Sequence, residues 1–219
     1  MTKIVFITDI HGKYGSLSRI FEKESPDYVL IGGDLTNFGP IEGVSELLNQ
    51  IKAPTFIVPG NCDPKELEQE IKRSKSTWLH KNSVDIDQIT VTGLGGSNIT
   101  PFNTLFELSE DEISGILSSV TATKTKNRWN ILVTHAPPYG VLDNVGSIDN
   151  PVHVGSQSIA RFIDNFDIIC CGHIHEQKGI QIFNNKLCVN PGPASEGNYA
   201  RILLNETPDI KLMNVNIPN

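Results

Sequence analysis

The first sixty residues alternate short apolar runs with amphipathic segments. The apolar runs predict three strands, at residues 3–8, 28–31 and 55–58. Helices are predicted at residues 16–24 and 40–51, where apolar positions recur every three or four residues. Asp63-Pro64 predicts the start of a further helix, with Asp63 as its N-cap. Strands that alternate with helices over short connections predict a parallel sheet.

The second half of the chain predicts a second set of strands. Strands are expected at residues 86–94, 129–134, 167–171, 181–183, 187–189, 201–204 and 210–214. Helices are expected after Ser109, which forms a capping-box pattern with Glu112, and over residues 155–166. The predicted fold class is therefore α/β (α+β), with two packed sheets flanked by helices in one domain over residues 1–219.

Composition narrows the possible partners. The 219 residues include 18 Lys and Arg against 25 Asp and Glu, which gives a formal charge of −7. Because nucleic acid is bound mainly through Lys and Arg and no basic cluster is present, a nucleic-acid partner is not expected. No apolar run approaches the roughly 18 residues of a membrane span. Residues 4–7 are too short an apolar segment for a signal peptide, so the cytosol is the expected compartment.

Polar residues with metal-binding side chains collect where the predicted strands end. They are Asp9, His11, Asp34, Asn61, His135, His173 and His175. Because ligands bind at the carboxyl ends of parallel strands, we expect these side chains to converge. Glycine precedes three of them, at Gly33, Gly60 and Gly172, which suits sharp turns and close backbone approach.

The chemistry of this set indicates a metal site. Two carboxylates, four imidazoles and one amide would be costly to bury together without a cation. Nitrogen and oxygen ligands without thiolates suit Mn, Fe, Zn, Co or Ni better than Ca or Mg. Seven ligands exceed one ordinary site and suit two ions that share a carboxylate, an arrangement used for phosphoryl chemistry.

The same residues resemble a known family signature. Asp9-x-His11, Gly33-Asp34, Gly60-Asn61-x-Asp63, His135 and Gly172-His173-x-His175 resemble that of the calcineurin-like metallophosphoesterases. The short chain and the segment 190–192 are similar to the small bacterial and archaeal phosphodiesterase branch. The resemblance implies the β-sandwich flanked by helices that is typical of the family.

The resemblance also implies a role for each ligand. Asp9, His11 and His175 would bind one ion, Asn61, His135 and His173 would bind the other, and Asp34 would bridge them. A hydroxide held by the metals would attack phosphorus, and Asn61 would also contact the substrate phosphate. Asn61, Asp34 and His135 are therefore the expected catalytic residues. Manganese is the expected metal, with iron, nickel, cobalt and zinc as alternatives.

One position departs from many members of the family. Cys62 stands where they carry a histidine thought to protonate the leaving group. A thiol with an ordinary pKa near 8.5 is poorly suited to that task. The expected enzyme is thus a phosphodiesterase for a small phosphate diester that relies little on general-acid catalysis. A phosphomonoesterase, a nuclease and a non-catalytic protein-binding scaffold of the same fold stay open.

Further residues are candidates for the surroundings of the site. Cys62, His153 and Asn37 are expected to line the substrate pocket, and Tyr139 lies in a loop that could border it. Asp63 would either orient the Asn61 turn or cap the helix that follows. Short edge strands near the C-terminus leave a homo-oligomer possible.

Overall fold

The computed structural model describes residues 1–122, 127–147 and 149–217. Fourteen strands form within these ranges: β1 (Thr2–Ile7), β2 (Tyr28–Ile31), β3 (Thr55–Ile57), β4 (Thr77–Trp78), β5 (Ser83–Ile86), β6 (Ile89–Leu94), β7 (Ser97–Asn98), β8 (Glu107–Leu108), β9 (Trp129–Thr134), β10 (Ile168–Cys170), β11 (Gly179–Phe183), β12 (Lys186–Asn190), β13 (Asn198–Leu204) and β14 (Pro208–Asn214). The helices are α1 (Gly15–Lys23), α2 (Val44–Leu48), α3 (Leu67–Arg73), α4 (Glu110–Thr121) and α5 (Gln157–Phe162). Single 3₁₀ turns occur at Ile163–Asn165, His175–Gln177 and Ala194–Glu196.

Twelve of the strands form two six-stranded sheets. The first has the order β14-β13-β1-β2-β3-β4, and its four strands from β1 to β4 run parallel. The second has the order β11-β12-β10-β9-β6-β5, with a parallel centre and antiparallel edges. The short strands β7 and β8 pair separately. The predicted architecture of two sheets flanked by helices is confirmed.

Side chains alternate between two apolar layers along the central strands, as the period of two in a strand requires. In β1, Ile4 and Phe6 point into the core between the sheets, whereas Val5 and Ile7 pack under α1, α2 and α3. The second sheet repeats this pattern, because Ile131 faces the first sheet and Leu132 packs under α4 and α5. Each sheet is therefore covered on both faces, which holds the ends of its strands in fixed positions.

The predicted strand over residues 86–94 is wrong in one respect. The structure has a hairpin there, in which Ile86 of β5 pairs with Ile89 of β6. Asp87 adopts a left-handed backbone with φ of 53°, which permits the two-residue turn. The apolar pattern continues across this turn, so the sequence contains no strong break.

Three helices also differ from prediction in their boundaries. The helix expected over residues 155–166 begins only at Gln157, capped by Ser156, and gives way to the 3₁₀ turn at Ile163–Asn165. The helix expected over residues 40–51 is limited to α2, because Gly43 has φ of 83° and cannot continue a right-handed helix towards its N-terminus. The helix expected from Asp63 begins only at Leu67, and Asp63 does not cap it. The capping box of Ser109 and Glu112 on α4 is confirmed.

No helix within the described ranges combines the length and the apolar character that are needed to cross a bilayer. The cytosolic location stays a prediction.

Candidate metal centre

The candidate ligands come from the ends of strands in both sheets. Asp9, Asp34 and Asn61 follow β1, β2 and β3 of the first sheet, and His135 and His173 follow β9 and β10 of the second. The site therefore lies where the carboxyl ends of two stacked sheets meet. The sequence pattern predicted that these side chains converge, and the structure brings them together from both sheets. His11 follows β1 of the first sheet, whereas His135 and His173 follow β9 and β10 of the second.

One group of donor atoms is formed by Asp9, His11 and His175. The Nε2 atom of His175 lies 3.3 Å from Asp9 Oδ1 and 3.3 Å from His11 Nε2. His11 Nε2 lies 3.8 Å from Asp9 Oδ1. Three atoms with lone pairs thus face a common point, and the His175 side chain, 42% exposed, leaves this group open to solvent.

The second group is formed by Asn61, His135 and His173 and is more deeply buried. His135 Nε2 lies 2.9 Å from Asn61 Oδ1, and the rings of His135 and His173 are 5.1 Å apart. The other ring nitrogen of His135, Nδ1, is 2.8 Å from the carbonyl oxygen of Gly32. If Nδ1–H donates to that carbonyl, the Nε2 lone pair faces the site, as a metal ligand requires.

Asp34 lies between the two groups. Its Oδ2 atom is 3.7 Å from His11 Nε2 and 3.5 Å from His135 Nε2. Its Oδ1 atom accepts a hydrogen bond from the backbone N–H of Cys62. One carboxylate oxygen is thereby fixed by the protein, and the other faces both donor groups.

The electrostatics of the site suit a bound cation. Asp9 and Asp34 are buried, and among the described residues their ion-pair partners are histidines alone. Burial opposes ionisation, yet His175 holds the pKa of Asp9, and His135 that of Asp34, below the ordinary value. Burial likewise opposes a charge on His135, but Asp34 outweighs it and raises its pKa to about 9. Buried carboxylates that depend on imidazolium partners are a donor set that divalent metals fit.

Four of these residues have strained backbones. Asp9, His11, Asp34 and His173 adopt φ values of 57°, 49°, 49° and 70°. Such left-handed conformations are uncommon outside glycine and cluster at functional sites. The turns after β1, β2 and β10 are therefore bent so that the side chains point at one another.

Gly33 and Gly172 permit this close approach. A Cβ at Gly33 would lie 2.5 Å from the backbone nitrogen of Gly60 and 2.8 Å from His135 Nδ1. A Cβ at Gly172 would collide with Thr8 and Asp9. Substituting either glycine would push apart the strands that carry the ligands.

Asp63 orients the loops that carry Asp34 and Asn61. Its buried carboxylate accepts backbone hydrogen bonds from Leu35 at 3.1 Å, Thr36 at 2.8 Å and Gly60 at 2.9 Å. It therefore ties the loop after β2 to the loop after β3. Burial and the nearby Asp34 raise its pKa to about 6.

The expected pocket residues fall in three different places. Cys62 Sγ lies with the donor atoms of His11 and Asp34, within 4.8 Å of each. Burial and Asp34 raise the pKa of this thiol. Asn37 is exposed on the loop after β2 and is not among the residues that line the cavity beside His173. His153 lines that cavity.

Sequence reasoning missed Asp143, which holds His153. Its buried carboxylate lies 2.7 Å from His153 Nδ1 and accepts hydrogen bonds from the backbone N–H groups of Gly140 and Gly155. These contacts join residues in an irregular loop, so neither periodicity nor a motif indicates them.

Comparison with known proteins identifies the family. The profile of the calcineurin-like phosphoesterases matches residues 2–177. An uncharacterized protein of Methanocaldococcus jannaschii, MJ1162, is 41% identical over 202 residues, which cover 88% of this chain and 89% of that one.

Two relatives with named activities match less of their own length. One component of the nuclease SbcCD of Staphylococcus epidermidis is 24% identical over 83% of this chain and 54% of its own. Phosphodiesterase YfcE of Escherichia coli is 35% identical over 32% of this chain and 44% of its own. The chain belongs to the calcineurin-like phosphoesterase family and is a metal-dependent phosphoric ester hydrolase.

Proposed function

We propose that this chain is a dinuclear metal-dependent phosphodiesterase that hydrolyses a small phosphate diester. The observation that carries the proposal is the position of Asp34, whose free oxygen lies 3.7 Å from His11 Nε2 and 3.5 Å from His135 Nε2. A single carboxylate between two separate donor groups supports a site for two ions. Asp9 and His175 complete one group, and Asn61 and His173 complete the other.

Two divalent transition-metal ions in this site, manganese above all, would generate hydroxide near neutral pH and offset negative charge on the phosphate. The protein's part is to hold their ligands in place. The hydrogen bond from Cys62 N–H fixes Asp34, and the Gly32 carbonyl fixes the ring of His135.

Asn61 is placed to contact the substrate as well. Its Oδ1 atom faces His135, whereas its Nδ2 atom donates, among the described residues, only to the Cys62 thiol, at 3.6 Å. Sulfur is a weak hydrogen-bond acceptor, so the Nδ2 group of Asn61 can donate instead to a stronger acceptor. We expect Nδ2 to donate to a phosphate oxygen.

The preference for diesters follows from the residue at position 62. The pKa of the Cys62 thiol is raised by burial and by Asp34, so the thiol is a weak proton donor. With the same leaving group, a dianionic monoester places more negative charge on that group than a diester does, and therefore needs a proton donor more. The site therefore favours diesters with good leaving groups.

A nuclease is the second candidate, because the relative from Staphylococcus epidermidis is named as part of one. The net charge of −7 and the absence of a basic cluster in the sequence argue against a long nucleic-acid substrate.

The test uses metal-stripped protein that is reloaded with Mn²⁺. We expect faster hydrolysis of bis(p-nitrophenyl) phosphate than of p-nitrophenyl phosphate. Asp34→Asn and His135→Ala should each lower kcat/KM for the diester by more than about a hundredfold. Loss of a residue that only hydrogen-bonds to a metal ligand costs up to about a hundredfold, and loss of the ligand itself should cost more. Asp111→Asn, an exposed change on α4, should have no effect.

Each other outcome has a distinct meaning. Faster hydrolysis of the monoester would contradict the diester preference but not the site. Faster cleavage of a single-stranded DNA oligonucleotide than of the aryl diester would favour the nuclease. Two bound metals without turnover of any ester would indicate a binding scaffold.

A further inference from the structure

A cavity of about 600 Å³ opens beside the candidate metal centre. His173 forms part of its wall, so the cavity adjoins the place where the phosphate would bind. Residues 98–102 form one side, Tyr139, Val145 and residues 153–155 form another, and α5 contributes Gln157 and Arg161. A volume of this size accommodates a drug-sized or nucleoside-sized group.

Apolar side chains line much of this cavity although they are solvent-accessible. Ile99 and Phe102 are 66% and 80% exposed, and Tyr139 and Val145 are 43% and 54% exposed. Large apolar side chains gathered around one cavity indicate a binding site rather than chance exposure. The ring of Tyr139 lies 5.4 Å from that of His153, which makes an aromatic wall.

Glu107 holds in shape the first wall of the cavity, which residues 98–102 form. Its carboxylate accepts hydrogen bonds from the backbone and hydroxyl groups of both Thr100 and Thr104. Burial opposes its charge, but these donors together outweigh burial and lower its pKa to about 2. The segment that presents Ile99 and Phe102 is therefore fixed before any ligand binds.

The second wall, which contains Tyr139, Val145 and residues 153–155, is also held by a buried carboxylate and is hydrogen-bonded to the first wall. Asp143 holds His153 and the turn at Gly140, as described above. The side chain of Asn98 donates a hydrogen bond of 3.0 Å to the carbonyl oxygen of Val154, across the two walls. A preformed apolar cavity loses little ordering entropy when a ligand enters it.

Arg161 supplies a positive charge to this cavity. Within the described parts of the chain no carboxylate pairs with its guanidinium. Glu110, an acidic residue that also lines the cavity, already accepts hydrogen bonds from Ser156, Gln157 and Ser158 at the start of α5. The guanidinium is thus available to an anionic group of a ligand.

We infer that this cavity binds an organic substituent of the phosphate ester, and that this substituent has an aromatic body and an anionic group. The aromatic body packs against Phe102 and Tyr139, and the anionic group pairs with Arg161. This inference rests on the proposed function, because the phosphate must sit at the metal centre for its substituent to reach the cavity. The substrate class is then an aryl-sized diester with a second negative charge.

The test measures binding rather than turnover. Methylphosphonate, phenylphosphonate and 4-carboxyphenylphosphonate are not hydrolysed and differ only in the organic group. Their dissociation constants for the Mn²⁺-loaded protein are measured by titration calorimetry. We expect phenylphosphonate to bind about tenfold more tightly than methylphosphonate, since burial of an aromatic group is favourable. We expect the carboxylate to add about threefold, as for an exposed ion pair.

Two variants and two controls assign these gains to residues. Phe102→Ala should reduce the phenyl preference to less than about threefold, and Arg161→Gln should remove the gain from the carboxylate. The controls are Ile182→Ala, an exposed change on β11, and Arg73→Gln on α3. They should alter neither the preference for the phenyl group nor the gain from the carboxylate. Equal affinities for the three phosphonates, no measurable binding of phenylphosphonate, or preferences that survive both cavity variants would overturn the inference.

This experiment separates the inference from the proposed function. If the phosphonates bind as expected but bis(p-nitrophenyl) phosphate is not hydrolysed, the cavity assignment stands and the phosphodiesterase assignment fails. If the diester is hydrolysed but the phosphonates show no preference, the cavity assignment alone fails.

Discussion

The backbone N–H of Cys62 donates a hydrogen bond of 2.9 Å to Asp34 Oδ1. The turn after β3 thereby orients a carboxylate that follows β2. Oδ1 is held by this hydrogen bond, and Oδ2 faces the two groups of donor atoms. The geometry of the whole centre thus depends on how closely these two turns approach.

Gly60 allows that approach, and Gly60→Ala should disrupt it. A Cβ at this position would collide with Asp34 Oδ1 and with its backbone nitrogen. We expect the variant to bind less than half of the metal of the natural protein, measured by elemental analysis after dialysis. Gly115→Ala on α4 is the matched control, because a Cβ there meets no atom within 4 Å. Full metal content in Gly60→Ala would show that metal binding does not depend on the close approach of the turns after β2 and β3.

Substitutions of Cys62 should affect the hydrolysis of diesters with poor leaving groups more than that of diesters with good ones. Cys62→Ala should change turnover of bis(p-nitrophenyl) phosphate by less than about threefold, because p-nitrophenolate leaves without a proton. Cys62→His should speed cleavage of an alkyl diester at least about tenfold, as expected of a general acid. Kinetics with paired aryl and alkyl substrates measure both effects, with Cys188→Ala, a buried thiol outside the site, as the control. Unchanged alkyl cleavage in Cys62→His would refute this role for the position.

Asp63→Asn should weaken both the fold and the site. Asp63 accepts three backbone hydrogen bonds while fully buried, and an amide would direct a donor at one of these N–H groups. We expect a loss of about 1–3 kcal/mol in the free energy of unfolding, measured by urea denaturation, together with lower metal affinity. Asp164→Asn, an exposed change, should be neutral. A neutral result for Asp63→Asn would contradict the orienting role.

His80 should make the fold sensitive to mild acid. Its Nδ1 atom accepts a hydrogen bond of 2.8 Å from Gly95 N–H, and its buried Nε2 has no partner in the described residues. Burial and the nearby Lys81 lower its pKa to about 4. The unfolded chain, with an ordinary pKa near 6.5, takes up the proton first, so stability is lost as pH falls from about 6.5 to about 4.

Urea denaturation from pH 7.5 to 4 measures this effect. At its steepest the loss should approach 1.4 kcal/mol per pH unit. His80→Gln keeps an acceptor for Gly95 and should remove this part of the pH dependence. Parallel curves for the natural protein and the variant would show that His80 does not contribute.

The convergence of the candidate ligands could be predicted from the sequence because its signal is local. Asp9 and His135 stand directly after apolar runs, and such runs are strands whose ends meet at a sheet edge. The sequence left the role of Asp63 open between orienting the Asn61 turn and capping a helix, since two of its partners, Leu35 and Thr36, lie 28 and 27 residues away. The local pattern Asp-Pro favoured a helix cap, and the tertiary hydrogen bonds outweighed it.

The cavity beside His173 could not be predicted for a related reason. Ile99, Phe102 and Val145 lie in irregular segments without periodicity, and tertiary contacts such as that of Asn98 with Val154 bring these segments together. His153 and Tyr139 were expected near the site from their loops alone, and both line the cavity. Asn37, also expected near the site, is exposed on the loop after β2 and does not line this cavity, so its role stays a prediction.

The most direct test of the central claim is anomalous diffraction from crystals of the Mn²⁺-loaded protein. We expect two peaks about 3.5–4 Å apart, one between Asp9, His11 and His175 and the other between Asn61, His135 and His173. Asp34 should lie against both peaks. A single peak at full metal loading, or two peaks that do not share Asp34, would contradict the dinuclear site.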